Sequence, residues 1–302
     1  MSPLVLPPRV RPGDTVALVA PAGPVPAERL ARGRAVLATR YRVADNPRLV
    51  ERVGYLAGDD DARLAELEAA LADDQVRAIF CARGGYGAMR LLPRLDPRRL
   101  AARPCPIVGF SDITALHAFA LRAGVASVHG PVVTQLGELP AEDTAALFAL
   151  LEGAVGGPLA GLESIGAPRV AEGPLVGGNL ELVRSLIGTP WAFPLAGAVL
   201  LLEEVGEQPY RLDRALTQLE LAGALADVAA VVVGDLHRCV APDPGGPTAE
   251  AVVRERLARL AVPVLLGLPV GHAARNRALG HGVPVRVDGL AGTLTPLGPA
   301  VA

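Results

Sequence analysis

A chain of 302 residues has room for about two domains at ~150 residues each. With 51% apolar and 20% charged residues, its composition is that of a folded globular protein and excludes a disordered or collagen-like chain. The 29 basic residues, all arginine, balance 31 acidic ones to a net charge of −2. The lack of lysine excludes Schiff-base chemistry, a lysine general base and P-loop phosphate binding through lysine, and the scattered arginines form no basic stripe, so no nucleic-acid partner is expected.

Cys81, Cys105 and Cys239 are odd in number and widely spaced, which gives neither a disulfide framework nor a CxxC site and fits a reduced, cytoplasmic compartment. Prolines and arginines interrupt the first 15 residues, and no run approaches ~18 apolar residues, so an unprocessed protein without a membrane partner is expected.

The elements begin with the apolar run Thr15 to Ala20 between two turn sequences, which predicts a buried strand. Helical spacing follows over Ala27 to Thr39 and again from about Asp60 through Leu64, Leu67 and Leu71. Val76 to Cys81 and Cys105 to Phe110 are the next strands, each leading through Gly or Ser/Asp into a helix. That rhythm belongs to a parallel α/β sheet, in which ligands bind at the carboxyl ends of strands. A helix over Ala141 to Leu151 closes an N-terminal α/β domain of residues 1–155. The Gly- and Pro-rich stretch 156–172 is expected to be a linker, and residues 173–302 a second domain. Its predicted strands are Val199 to Leu202, Ala229 to Val233 and Val262 to Leu266. Helices are predicted near Asn179 to Ile187, Arg211 to Leu221 and Thr248 to Leu260, and a β-hairpin over Val283 to Leu297.

Several residues could carry chemistry. In Gly109-Phe110-Ser111-Asp112 a serine stands where a strand turns into a helix, which can expose its hydroxyl beside N–H groups able to stabilise an oxyanion. Ile113 replaces the second glycine of a G-x-S-x-G elbow, and Ser111 could equally serve as a helix cap. Arg83-Gly84-Gly85-Tyr86-Gly87 brings backbone N–H groups to the same sheet edge, either for a ligand or simply as a tight turn. Glu203 and Glu204 end an apolar strand and point to opposite faces, so one of them at most serves a given site. Five histidines, His117, His129, His237, His272 and His281, compete for a general-base role. There is no HExxH, and His272 and His281 have no neighbouring Cys or carboxylate at ligand spacing, so neither metal nor cofactor is expected.

Taken in order, Arg83-Gly84-Gly85-Tyr86-Gly87, Gly109-Phe110-Ser111-Asp112, His129-Gly130-Pro131, Gly177-Gly178-Asn179-Leu180, Leu202-Glu203-Glu204 with Pro209-Tyr210-Arg211, and Gly271-His272 resemble the LD-carboxypeptidase family of serine peptidases. That family includes the murein tetrapeptide carboxypeptidases and the microcin C immunity proteins. The resemblance implies a flavodoxin-like parallel-sheet N-terminal domain and a smaller β-rich α+β C-terminal domain, with the site between them, and a homodimer. It implies a triad of Ser111 as nucleophile, Glu203 as acid and His272 as base, with the N–H groups of Gly85 and Asp112 as oxyanion donors. Arg83, Gly84, Trp191 and Arg211 are candidates for substrate binding. The expected reaction releases terminal D-Ala from a murein tetrapeptide for cell-wall recycling. Cleavage of a microcin-type peptidyl or aminoacyl adenylate and non-catalytic ligand binding are the alternatives. Glu204 stands where Asp often follows the acid, and Ala273 where Gly often follows the histidine.

Overall fold

The structure is a computed structural model that describes residues 4–243 and 245–302. Residues 4–154, joined by 277–281 and 299–302, form one compact unit, and residues 155–276 with 282–298 form a second.

In the first unit β1 (Thr15–Val19) is buried beyond its first residue and leads into α1 (Ala27–Ala38), which packs Leu30 and Leu37 inward. The short β2 (Arg42–Val43) follows. Next, α2 (Asp60–Ala72) starts where the Asp59 carboxylate accepts the Ala62 N–H at 2.7 Å, satisfying one of the otherwise unpaired donors of the first turn. β3 (Val76–Cys81), α3 (Pro97–Ala102), β4 (Ile107–Gly109), α4 (Thr114–Arg122), β5 (Ser127–His129), α5 (Val133–Leu136) and α6 (Ala141–Leu151) complete the run. The neighbouring strands pair in parallel in the order β2-β1-β3-β4-β5. This is the doubly wound flavodoxin-like order, with helices covering both faces. Ile79, Phe80, Ile107 and Val108 are fully buried, each such side chain contributing about 1.5–3 kcal/mol of hydrophobic stabilisation. The turns after β1, β3 and β4 share the carboxyl edge of the sheet, and the Gly23 N–H donates to the Gly84 carbonyl at 3.0 Å to join two of them.

The second unit opens with β6 (Glu163–Ser164) and β7 (Val170–Asn179). It continues through α7 (Leu180–Leu186), β8 (Val199–Val205), α8 (Pro209–Leu221), β9 (Ala230–His237), α9 (Ala249–Leu257) and β10 (Val264–Leu266). β7, β8, β9 and β10 are parallel neighbours, and β6 adds antiparallel to β10. β11 (Leu279–His281) then pairs antiparallel with β5 of the first unit's sheet. The closing hairpin of β12 (Pro284–Asp288) and β13 (Thr293–Pro296) returns to β7, giving the order β13-β12-β7-β8-β9-β10-β6. The Asp288 carboxylate caps its turn by accepting the Leu290 and Ala291 N–H groups, both at 2.9 Å.

Two boundaries differ from the sequence expectation. The stretch 156–172 holds β6 and the start of β7 rather than a free linker: both β6 residues are exposed, so an edge strand held by its backbone leaves no apolar pattern to read. Residues 277–281 and 299–302 belong with the first unit, not with a second domain running unbroken over 173–302. Leu279, His281 and Val301 are buried there, in segments too short for periodicity to reveal.

Candidate active site

In the first unit β4 ends at Gly109 and the chain turns through Phe110 into a single 3-10 turn, Ser111–Ile113, that runs into α4. Ser111 has φ +64, a left-handed conformation that a non-glycine residue adopts at a cost of about 1–3 kcal/mol and that recurs at functional turns. The residue preceding α4 is Ile113, so Ser111 is not the cap of that helix. Gly84 lies against this turn: a Cβ there would come within 2.9 Å of the Ser111 Cβ, 3.0 Å of its Oγ and 3.3 Å of the Asp112 nitrogen. The Asp112 carboxylate is buried and accepts the Ala88 N–H at 2.8 Å, tying the glycine loop to the serine turn. Burial pushes this carboxyl up to about 6, against that hydrogen bond and the charge of Arg63. Arg63, 1% exposed, fixes the same loop from below. It donates to the Pro21 carbonyl, to the Gly87 carbonyl at 3.0 Å and to the Asp60 carboxylate.

Arg83 donates to the Pro24 carbonyl at 2.5 Å and lines a cavity of about 590 Å³ with Gly85, Arg52, Tyr55 and Tyr86. Burial and the charges of Arg29 and Arg52 hold its pKa below the ordinary arginine value. Among the described residues no carboxylate pairs with Arg83 or Arg52, whereas Arg29 pairs with Glu138 at 2.6 Å.

Three of the five histidines form a buried stack. The His117 ring lies 4.7 Å from that of His281 and 5.8 Å from that of His129. His117 Nε2 meets the Gly109 carbonyl and Nδ1 the Ser127 hydroxyl, both at 2.9 Å. Burial lowers its pKa to about 4, so this ring is a neutral core group. The three thiols are buried, and burial raises the pKa of each, that of Cys239 to about 11, leaving none poised as a nucleophile.

In the second unit β8 ends in two buried acids with different partners. Glu203, 0% exposed, places Oε2 2.7 Å from His272 Nδ1. Glu204, on the other face, accepts from Asn179 Nδ2 and the Val205 N–H, both at 2.8 Å, and from the Glu181 N–H at 3.0 Å. Burial pushes Glu204 up to about 7 despite these donors. Asn179 also caps α7, accepting the Leu182 N–H at 3.2 Å, so the Gly177-Gly178-Asn179 motif serves as a structural joint. Burial alone would lower the His272 pKa, but the hydrogen bond and charge of Glu203, with the charges of Asp235 and Glu204, outweigh it and leave the pKa raised. Trp191 is half-buried, its backbone N–H donating to Thr189 Oγ1 at 3.1 Å. Arg211 is exposed and pairs with Glu207 at 3.4 Å.

Thus the structure joins Glu203 to His272 in one unit, and gathers Ser111, Asp112, Gly84 and Gly85 in the other. Sequence reasoning missed Arg63 and Asp235. Asp235 did leave a trace, an acid just beyond the apolar run Ala230 to Val233, much as Glu203 follows the apolar run Val199 to Leu202. Among the described residues no group of three or more His, Cys, Asp or Glu side chains could hold a metal ion, and no helix is long and apolar enough to cross a membrane.

One unit thus carries a serine with positive φ at a strand end, and the other a buried glutamate hydrogen-bonded to a part-buried histidine. Profiles of the LD-carboxypeptidase N-terminal and C-terminal domains match residues 16–130 and 172–287, and the chain belongs to that family. It is 36% identical to the murein tetrapeptide carboxypeptidase of Pseudomonas aeruginosa, over 91% of this chain and 93% of that one. The crystal structure of muramoyltetrapeptide carboxypeptidase from Oxalobacter formigenes superposes with a TM-score of 0.83 at 30% identity, covering 93% of this chain and 97% of that one. The microcin C7 self immunity protein in complex with aspartyl sulfamoyl adenosine shares the fold, with a TM-score of 0.90 at 21% identity over 99% and 100% of the two chains.

Proposed function

We propose that this chain is a serine LD-carboxypeptidase that releases the terminal D-Ala of murein tetrapeptides from the L-centre of a diamino acid. The observation that carries the reading is the fully buried Glu203 carboxylate 2.7 Å from His272 Nδ1. With Nδ1–H donating to Glu203, Nε2 carries the lone pair, which is the tautomer a general base needs. In the proposed reaction Nε2 takes the Ser111 hydroxyl proton as Oγ attacks the scissile carbonyl. The Gly85 and Asp112 N–H groups receive the oxyanion. His272 then returns the proton to the departing D-Ala amine, and activates the water that frees the tripeptide from Ser111.

The substrate's terminal carboxylate is assigned to Arg83, beside Gly85. This choice over Arg211 rests on charge balance, because Arg211 already has Glu207 while Arg83 and Arg52 line their cavity without a carboxylate. Gly84 gives the substrate backbone close access to the serine turn. Trp191 remains a candidate for contact with a flat group such as the base of an adenylate.

The test is incubation of wild type and Ser111→Ala with L-Ala-D-Glu-meso-diaminopimelyl-D-Ala, followed by mass spectrometry. Loss of one D-Ala with the wild type alone is expected. Turnover of an aminoacyl-adenylate amide in its place would move the assignment to the microcin-type reaction. No turnover of either, with no labelling by a serine-directed probe, would indicate a ligand-binding protein.

A further inference from the structure

Asp235 lies near the end of β9, where the pairing with β8 breaks register: Leu202 faces Val233, yet Glu204 faces Leu236. Gly234 and Asp235 thus stand opposite the single residue Glu203, a bulge with one extra residue on β9. Bulges of this kind twist the strand and redirect a side chain. Gly234 makes the bulge possible, since a Cβ there would stand 2.3 Å from the Val270 carbonyl oxygen and 3.2 Å from the Glu203 Cβ. The Asp235 N–H donates to that same Val270 carbonyl at 2.9 Å, locking the bulge to the segment that precedes the histidine.

The redirected carboxylate meets the backbone of the histidine loop. Oδ1 accepts the N–H groups of His272 and His237, both at 3.2 Å, and Oδ2 accepts the Ala273 N–H at 2.9 Å. Gly271 has φ +134, and a Cβ there would lie 2.5 Å from Asp235 Oδ2, so only glycine lets the loop fold down onto the acid. Hydrogen bonds to an ionised acceptor are about twice as strong as neutral ones. His272 is consequently held at two points, its ring by Glu203 and its backbone by Asp235, from adjacent strands that differ by one bulge.

We infer that Asp235 is a positioning residue for the reaction proposed above, fixing the backbone of the His272 loop so that the imidazole is presented at the correct place and angle. The inference rests on the assignment of His272 as general base. It goes beyond a stabilising contact, because Asp235 also contributes negative charge to the surroundings of the ring. Among the described residues the acids that act on the His272 charge are Glu203 and Glu204 of β8 and Asp235 of β9, and of these three it is Asp235 that accepts from the loop's main chain. Misplacing a reacting group by about 1 Å costs roughly 10²-fold in rate, which sets the expected scale.

The test compares wild type, Asp235→Asn and Asp235→Ala with the tetrapeptide, and follows the His272 imidazole by NMR titration in each protein without substrate. Asparagine keeps one acceptor oxygen but turns an N–H₂ toward an N–H donor, so kcat should fall about 10-fold in Asp235→Asn and about 10²-fold in Asp235→Ala, with KM within about 2-fold. The His272 titration should move to lower pH in both variants, and the acid limb of kcat/KM with it, because loss of a negative charge disfavours the imidazolium. If Asp235→Ala fails to fold, Asp235→Asn alone decides. Full kcat and an unmoved His272 titration in folded Asp235→Asn would overturn the inference. A wild type that turns over no peptide would instead defeat the assignment of the reaction, and the NMR titration would still report whether Asp235 acts on His272.

Discussion

Gly84→Ala is a one-carbon perturbation whose effect follows from three distances. Gly84 does not adopt a left-handed φ, so that conformation does not bar alanine, and the consequence that the distances define is steric. The added methyl would stand 2.9 Å from the Ser111 Cβ, 3.0 Å from its Oγ and 3.3 Å from the Asp112 nitrogen. Carbon atoms pack at about 3.5–4.0 Å, so the Ser111 Cβ must retreat by roughly 0.6–1.1 Å. Rotation about χ1 can move Oγ but leaves Cβ in place. The serine turn is also tied to the loop by the bond from Ala88 to the Asp112 carboxylate, so loop and turn must separate and carry apart the N–H groups of Gly85 and Asp112 proposed as oxyanion donors. A displacement near 1 Å predicts about a 10²-fold loss of kcat. The overpacking should cost about 1–3 kcal/mol of stability, which lowers Tm by about 2–4 °C per kcal/mol for a unit of this size. The assay is D-Ala release under saturating tetrapeptide, with thermal melting of the same samples. Wild-type kcat in a folded Gly84→Ala protein would refute the reasoning, since the loop would then not be the wall against which Ser111 is set.

Glu203→Gln preserves shape but removes the charge that holds the Nδ1–H tautomer, and should lower kcat by about 10⁴-fold with little change in KM; steady-state kinetics showing less than a 10-fold loss would exclude Glu203 as the orienting acid. His117, its pKa lowered to about 4, binds its proton more weakly in the fold than in the unfolded chain. Its contribution to stability is therefore complete above pH ~6.5 and is lost as pH falls through about 4, to an extent of about 3 kcal/mol. Titration of the His117 ring by NMR with a midpoint near 6.5 would contradict this.

How much of the molecule was legible in the sequence depended on whether a feature is written in neighbouring residues. The strands Thr15–Val19 and Val76–Cys81 and the helices between them were readable because a buried strand is a short apolar run and a half-buried helix repeats every three to four residues. The strand-turn-serine segment at Ser111 and the acid ending β8 were readable as candidates for the same reason, since polar residues at apolar strand ends stand out. The two-residue edge strand β6 was not readable, since backbone hydrogen bonds hold it and no side-chain pattern marks it. The residue pattern did not separate the histidines either: the family resemblance singled out His272, but His117, His129 and His281 look no different from it locally, and the fold stacks those three in a core.

The sequence by itself determined the class of fold, the order of its elements and a short set of side chains able to do chemistry. The tertiary structure decided which of those side chains meet. It put Glu203, rather than Glu204, on His272 across 69 residues of chain, bulged β9 so that Asp235 holds the histidine loop, and sent β11 back to the first unit's sheet. The physical reason is that helix and strand preferences act over a few residues. Strand register, bulges and the pairing of a buried carboxylate with an imidazole arise only when distant segments share one packed, largely dry environment.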